Sequence, residues 1–259
     1  MAFVTFECRS CGAGVESPPD NLLVVCTHCG DRYPSKELKD SSVTIIPSMK
    51  ESEIRRAVEK RMENDEQMKS KNIQMGSAEG VYVPIFVQSV TTAIKWDGYK
   101  HVNKNNTTVK EFLGGQKEYQ IDYPILGRKH AHEFGMEYIG FVLPKQNATS
   151  FDDIDWKTVG LPLLAVDVDK SLLSTKVQAQ VTNHLGQSIK IEEKLSALTS
   201  FDVDIQEDSC TVVFFPFWTV KYLYRGSEYR VAVSGGDGTV LGAIEPIVLT
   251  VKFGSISIR

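Results

Sequence analysis

The N-terminal sequence contains Cys8-Arg9-Ser10-Cys11-Gly12 and then Cys26-Thr27-His28-Cys29-Gly30, two C-x2-C pairs that are each followed at once by glycine. Such a pair supplies two sulfur ligands from one tight turn, and the glycine adopts the positive φ that the turn needs. Four thiolates surround one zinc ion tetrahedrally at roughly 2.3 Å each. Fourteen residues separate the pairs, slightly fewer than is usual for such sites. The sequence therefore predicts one zinc ion in a ribbon over residues 1–40, held by Cys8, Cys11, Cys26 and Cys29.

Other roles for these four cysteines have less support. Disulfides require an oxidising compartment, and the first residues lack the basic start and apolar run of an export signal. Iron bound by four cysteines, as in rubredoxin, is the alternative metal. His28 is adjacent to Cys29, and the tight turn makes it a poor ligand. A closed site with four sulfur ligands leaves no open position for a substrate, so we expect a structural metal.

Charge argues against strong contact with nucleic acid. The 259-residue chain has a formal net charge of -4, and residues 1–40 are slightly acidic. A ribbon that grips phosphates is usually basic, so we expect a protein partner, with nucleic acid as the alternative. The most apolar stretch, residues 210–220, is about half as long as a membrane span. We therefore expect a cytoplasmic protein without a membrane span.

The rest of the chain divides into a connector and a larger body. Residues 41–74 predict a linker and a charged helix, which begins with a Ser48–Glu51 capping box and continues from about residue 49 to 71. Its narrow apolar stripe consists of Ile54, Ala57, Val58 and Met62. Residues 75–259 predict a mainly antiparallel β domain with at least one packed helix, from 172 to a stop at Gly186. The expected fold class is therefore α+β.

Glycine-containing dipeptides predict the turns of this β domain. Asp97-Gly98, Gly114-Gly115 and Arg225-Gly226 indicate hairpins, and residues 235–238 form a further glycine-rich turn. Residues 137–143 are predicted as a strand. One face of a C-terminal strand is expected in the core, and it carries Trp218, Val220, Tyr222 and Tyr224.

Two strands resemble each other. Residues 81–88 and 213–220 each place a proline early in an apolar strand and follow it with aromatic residues. Proline cannot donate to a ladder, which indicates a strand start or an edge. The likeness suggests a weak duplication of residues 75–145 and 205–259, or two strands that meet the same constraint independently.

The order of these segments resembles a known group of proteins. The C-terminal sequence reads Phe-Pro-Phe-Trp-Thr-Val-Lys-Tyr-Leu-Tyr-Arg-Gly-Ser-Glu-Tyr-Arg-Val-Ala-Val over 215–233, followed by Gly-Gly-Asp-Gly-Thr-Val-Leu-Gly over 235–242. Together with the cysteine pairs and the charged helix, it resembles uncharacterised prokaryotic proteins with an N-terminal transcription-factor-IIB-type zinc ribbon and a C-terminal antiparallel β domain. This resemblance implies binding and says little about activity.

Few residues outside the ribbon suggest chemistry. His130 and His132 would share one face of a strand, and two imidazoles can bind a metal. The local sequence supplies no third ligand, although His101, Asp122 and Glu133 are candidates, and a polar sheet face explains the pair more simply. Cys210 is expected as a buried strand residue. The sequence therefore favours a non-enzymatic zinc-ribbon interaction protein over a transcription or translation factor that binds nucleic acid, and least a metal-dependent enzyme that uses the two histidines.

Overall fold

The protein is mostly β-sheet in its computed structural model. Of the described residues, 54% lie in strands and 22% in helices. The α+β class expected from the sequence is therefore wrong, because segments interpreted as turns continue as strand and lengthen the sheet. The structure describes residues 4–17, 23–34, 43–65, 68, 73–128, 135–143, 146–168, 171–245, 250–252 and 255–257.

Two small hairpins form the N-terminus. Strand β1 (Val4–Glu7) pairs antiparallel with β2 (Gly14–Ser17), and β3 (Leu23–Val25) pairs antiparallel with β4 (Arg32–Pro34). Each cysteine pair lies in the turn of one hairpin. The hairpins share a small buried cluster made of Cys8, Val15, Val24, Cys26 and Tyr33.

Seven strands form the main sheet. In chain order they are β5 (Val43–Ile45), β6 (Ile73–Lys104), β7 (Thr107–Leu126), β8 (Thr149–Ser150), β9 (Ala197–Tyr224), β10 (Ser227–Ser234) and β11 (Val240–Ile244). The order across the sheet is β11-β10-β9-β5-β8, and β6 pairs with both β9 and β7. The pair β5–β9 is parallel, with Ile45 beside Phe214. A separate hairpin joins β12 (Thr250–Lys252) to β13 (Ser255–Ser257).

The chain forms two compact units. The first consists of Met1–Ile85, Leu126–Asp167 and Val212–Arg259, and the second of Phe86–Ile125 and Val168–Thr211. The three longest strands thus contribute residues to both units. The division at residues 40 and 74 that the sequence suggests stays a prediction.

Helix α1 (Glu51–Asn64) packs on the sheet through the apolar stripe seen in the sequence. Ile54, Val58 and Met62 are buried in one cluster with Trp218 and other residues of β9 and β10. The predicted capping box between Ser48 and Glu51 is wrong, because Lys50 and Glu53 occupy those two positions. The helix begins after Lys50, whose backbone N–H donates to the Glu53 carboxylate at 2.8 Å.

Two further helical segments correct the sequence analysis. Residues 137–143 are helical and not a strand, since a 3-10 turn (Met136–Tyr138) continues into the short helix α2 (Ile139–Val142). Met136, Ile139 and Val142 are buried at the three-residue spacing of a helix. Helix α3 (Ser171–Glu192) confirms the second predicted helix but passes through the expected stop at Gly186.

Two predicted hairpin turns lie inside strands. Residues 97–98 belong to β6 and residues 114–115 belong to β7. The turn between these strands is Asn105-Asn106, with φ of 53° and 61°, and asparagine tolerates this left-handed region. A Cβ on Gly115 would lie 3.2 Å from the Trp96 indole, so the glycine lets this ring pack closely on β7. The turns at Arg225-Gly226 and at residues 235–238 are confirmed.

The proline of β9 lies at a close crossing of backbones. The Pro216 carbonyl accepts from the Gly235 N–H at 2.6 Å, at the point where β10 ends. Two residues before the proline, the Phe214 carbonyl accepts from the Ile46 N–H at 3.1 Å. The Gly235 carbonyl in turn accepts from the Met49 N–H at 2.7 Å. A short segment that leads into α1 is thereby bonded to both strands of the hairpin.

The proline of β6 makes the same three bonds with different partners. The Pro84 carbonyl accepts from the Gly127 N–H at 2.8 Å. The Tyr82 carbonyl accepts from the Leu164 N–H at 3.1 Å, and the Gly127 carbonyl from the Asp167 N–H at 3.0 Å. The donors are again three residues apart, and a helix, α3, follows them. Residues 43–127 and 162–235 are therefore two matched halves, each with an extended segment, a helix, a strand that contains a proline, and a hairpin in the same order. The duplication of residues 75–145 and 205–259 that the sequence suggests stays a prediction.

Replacing the glycines at these crossings should destabilise the protein. In Gly235→Ala a Cβ would lie 2.6 Å from the Pro216 Cβ, and in Gly127→Ala it would lie 2.9 Å from the Pro84 carbonyl oxygen. Backbone must then shift, and we expect a loss of about 1–3 kcal/mol in the free energy of unfolding, measured by urea denaturation. Gly160→Ala is the control because no atom lies within 4 Å of its Cβ position. Equal stability of all three variants would contradict this account.

Candidate metal centre

The four cysteines converge between the two N-terminal hairpins. Their sulfur atoms all lie within 4.8 Å of one another. The Cys8 and Cys29 Sγ atoms are 3.6 Å apart, and the Cys11 and Cys26 Sγ atoms are 3.7 Å apart. A tetrahedron with metal–sulfur bonds of roughly 2.3 Å has an edge of about 3.8 Å. The cluster therefore has the size of a site for one tetrahedral metal ion, with ligands from both hairpins.

The two cysteine turns have the same backbone geometry. Gly12 and Gly30 have φ of 72° and 76°, as the sequence predicts. The Gly12 N–H donates to the Cys8 carbonyl and the Gly30 N–H to the Cys26 carbonyl, both at 2.9 Å. Each turn thus places its two sulfurs on one side and returns the chain to an antiparallel strand.

The sulfurs are not equivalent electrostatically. The backbone N–H of Cys29 donates to the Cys26 sulfur at 3.5 Å, and this bond lowers the pKa of Cys26 to about 6. A backbone hydrogen bond at Asp31 lowers the pKa of Cys29, but partial desolvation and the neighbouring thiols outweigh it and raise that pKa to about 12. Hydrogen bonds with the Ala13 backbone and with Cys29 lower the pKa of Cys11, but partial desolvation and the thiols of Cys8 and Cys26 outweigh them, so this pKa is raised as well. Four thiolates in this space therefore need a cation.

Side chains around the cysteines tie the hairpins to each other and to the rest of the first unit. Ser10 donates to the Asp31 carboxylate, across the two turns. The Arg9 guanidinium lies 5.3 Å from the centroid of the Tyr33 ring. Arg32 in β4 donates to the Val159 carbonyl. The ribbon is therefore held against the segment around residue 159.

The second metal site considered from the sequence stays untested. His130, His132 and Glu133 lie outside the described residues. The remaining candidates have other partners, since His101 Nδ1 lies 3.0 Å from the Ser196 hydroxyl and the Ser89 hydroxyl donates to Asp122 at 2.5 Å. Within the described part of the chain, the cysteine cluster is the one group of metal-ligating side chains found.

Cys210 is placed differently from expectation. It lies in β9, as predicted, but its side chain is exposed and not buried. The preceding polar run, residues 206–209, is exposed too, and continuous burial begins only at Val213. The prediction of burial therefore holds for the apolar residues that follow Cys210, and not for Cys210 itself.

A cleft in the first unit was not foreseen from the sequence. It has a volume of about 710 Å³ and lies beside the start of α1. Trp218 Nε1 donates to the Ser48 hydroxyl at 3.0 Å, and the Ser48 backbone N–H donates to the Tyr82 hydroxyl at 3.1 Å. Its charged lining residues are Lys50, Glu51, Asp153 and Asp155. The acidic stretch 149–156 was the one available signal, but its partners are distant in sequence.

In comparisons with known proteins, no family model, no curated protein and no solved structure matches the chain. The resemblance noted from the sequence therefore rests on its own residues. Among the described residues, no helix has the length and apolarity needed to cross a membrane.

Metal binding at this cluster should depend steeply on pH. Cysteine binds metals as thiolate, and the raised pKa values of Cys11 and Cys29 mean that both hold protons near neutral pH in the metal-free cluster. Binding must displace these protons, so affinity for Zn²⁺ should fall by at least about tenfold per unit as the pH is lowered from about 8 to about 6. Competition with a chromophoric chelator measures this. An affinity that does not change with pH would contradict the thiolate set.

Proposed function

We propose that Cys8, Cys11, Cys26 and Cys29 bind one structural zinc ion, and that the chain is a non-enzymatic zinc-ribbon protein that binds another protein. The observation that carries the metal assignment is the convergence of four sulfurs within 4.8 Å, two pairs of which lie 3.6 and 3.7 Å apart, close to the edge length of a zinc–thiolate tetrahedron. All four positions are taken by protein sulfur, which leaves none for a substrate. Iron fits the same ligands and is the alternative that metal analysis distinguishes.

The cleft beside α1 supports the interaction role. Val159, whose carbonyl accepts from Arg32 of the ribbon, lines this cleft. A metal-stabilised ribbon would therefore hold one wall of the cleft in place. The ribbon then acts on binding indirectly, through the position of the segment around residue 159.

The polar groups of the cleft occur at only one of two equivalent places in the fold. Ser48 and Tyr82 come from the first matched half and Trp218 from the second, each at a fixed offset from the proline–glycine hydrogen bonds described above. The positions that match them around the second place carry side chains without a hydrogen-bonding group, namely Val166, Phe214 and Phe86. The apolar residues at the second place show that packing of the fold does not require polar side chains at these positions. Polar side chains at only the first place therefore support a binding role for it.

Charge indicates the chemistry of the partner. The cleft is lined by Glu51, Asp153 and Asp155 against one cation, Lys50. Ile154 and Leu161 add apolar wall. A segment with lysine or arginine next to aliphatic residues complements this lining, whereas a phosphate backbone does not. The acidic ribbon and the chain's net charge of -4 point the same way.

Removing one ligand should release the metal without unfolding the sheet. Cys11→Ser should lose the single zinc ion and the structure of residues 4–34, because metal supplies most of the folding energy of small zinc domains. Elemental analysis and amide NMR of the full chain measure the two effects. Cys210→Ser is the control and should keep both. Freshly purified protein without bound metal would refute the assignment, and bound iron would replace zinc with the alternative.

The cleft should select basic peptides. Panning a random peptide library against the full chain should enrich lysine or arginine beside aliphatic residues. Asp153→Asn with Asp155→Asn should weaken the selected peptides by roughly tenfold, the scale of two partly exposed charge contacts. Asp202→Asn with Asp204→Asn, on exposed positions of β9, is the matched control. Equal weakening by both pairs would place binding elsewhere, and tight binding of single-stranded RNA at physiological salt would favour the nucleic-acid alternative.

A further inference from the structure

Strand β7 has an open edge. Within the described part of the chain it pairs with β6 alone, over Thr107–Leu126. In the matched half of the fold, the corresponding strand β10 is covered on its outer side by β11. A long edge strand offers a row of N–H and C=O groups to another strand. The outer side of β7 is thus the place where the matched half carries one strand more.

The hairpin register shows which groups of β7 point outward. Lys100 in β6 lies opposite Glu111 in β7, with its Nζ atom 3.5 Å from Glu111 Oε2. The same register places Gly127 opposite Pro84, whose carbonyl accepts from the Gly127 N–H. Inter-strand bonds of an antiparallel pair involve every second residue of a strand. Because Gly127 bonds to β6, the odd-numbered residues of β7 face β6. The even-numbered residues direct their backbone N–H and C=O groups to the open edge.

The sequence of β7 is complementary to itself in the antiparallel direction. Residues 110–118 read Lys-Glu-Phe-Leu-Gly-Gly-Gln-Lys-Glu. If two copies pair with Gly114 opposite Gly114, Lys110 lies opposite Glu118 of the second copy. Glu111 then lies opposite Lys117 of the second copy. Both charge pairs occur twice by symmetry, and opposite charges across an antiparallel pair are stabilising.

Exposed apolar surface lies beside the same point. The Phe112 side chain is 70% exposed, and its ring centroid is 5.9 Å from that of Tyr99. Pairing at the adjacent strand edge would remove part of this apolar surface from water, which is favourable. Lys117 is already held by Glu192 and Glu193 at 2.8 and 2.6 Å, so its ammonium group is fixed on one face of the sheet. Ordering it in a dimer therefore costs little further entropy.

We propose that two copies of this chain form a symmetric dimer by antiparallel pairing of their β7 strands, centred on Gly114. The occupant of the edge is a second copy and not an arbitrary extended peptide, because only the chain's own sequence supplies both charge pairs in one register. The even-numbered residues 110–118 provide the backbone bonds. The dimer joins the two three-stranded β7-β6-β9 arrangements into one continuous sheet.

Charge reversal tests the register as well as the dimer. Analytical ultracentrifugation of the full chain should show a concentration-dependent dimer. Lys110→Glu or Glu118→Lys alone should each weaken self-association by about tenfold or more, because two attractive pairs become repulsive. An equal mixture of the two variants should associate as the unmodified chain does, and so should the double variant. Lys95→Glu, an exposed lysine in β6, is the control and should have no effect.

A backbone variant tests the edge without using charge. Gln116→Pro removes an outward N–H, which leaves the β6–β7 bonds intact and the circular dichroism spectrum unchanged. It should abolish the dimer. A chain that stays monomeric at all concentrations refutes the proposal. So does a dimer that persists in Gln116→Pro, or one whose single-reversal variants fail to associate on mixing, since either result places the contact on another surface or in another register.

Discussion

The hydrogen bond between a proline carbonyl and a glycine N–H, made once at Pro84–Gly127 and once at Pro216–Gly235, is the constraint on which the rest of the body depends. At each crossing the proline ring occupies the space that a side chain on the opposite strand would need. Glycine on that strand therefore allows the backbones to approach, and its carbonyl remains available to a third segment. That segment leads into a helix in both halves. The crossing thus determines where a helix begins, and beside α1 it also determines the position of Ser48 in the cleft.

The parts of the structure that sequence reasoning predicted are those encoded locally. The cysteine turns depend on two ligands and one glycine within five residues, and the structure reproduces them with the expected φ values. The apolar stripe of α1 follows from helical periodicity alone. The aromatic face of β9 is buried as the alternation of its residues indicates. Where the deciding atoms lie within one turn or one strand, the sequence suffices.

The errors arise where a distant residue decides. Gly114-Gly115 has the composition of a turn, but both glycines lie within β7, where Gly115 leaves room for the Trp96 indole of the neighbouring strand. Residues 137–143 have the residue types of a strand, although their burial repeats every three residues. The cleft brings together Ser48, Tyr82 and Trp218, and the first and last of these are 170 residues apart in the chain. No local sequence motif indicates that such distant residues meet. The predicted α+β class was wrong for the same reason. Strands that continue through apparent turns are longer than the sequence analysis predicted, so the strand content was underestimated.

The burial of the four cysteines differs in a way that governs how an ion would leave. Cys8 and Cys26, the first ligand of each turn, are buried, whereas Cys11 and Cys29, the second of each, are exposed. A competing ligand from solvent therefore meets one thiolate from each hairpin before it reaches the inner pair. Exchange of a bound ion would then begin at this outer side, while each hairpin still holds one sulfur on the metal. On this arrangement the two exposed thiolates would set the rate of metal transfer, whereas the affinity would depend on all four.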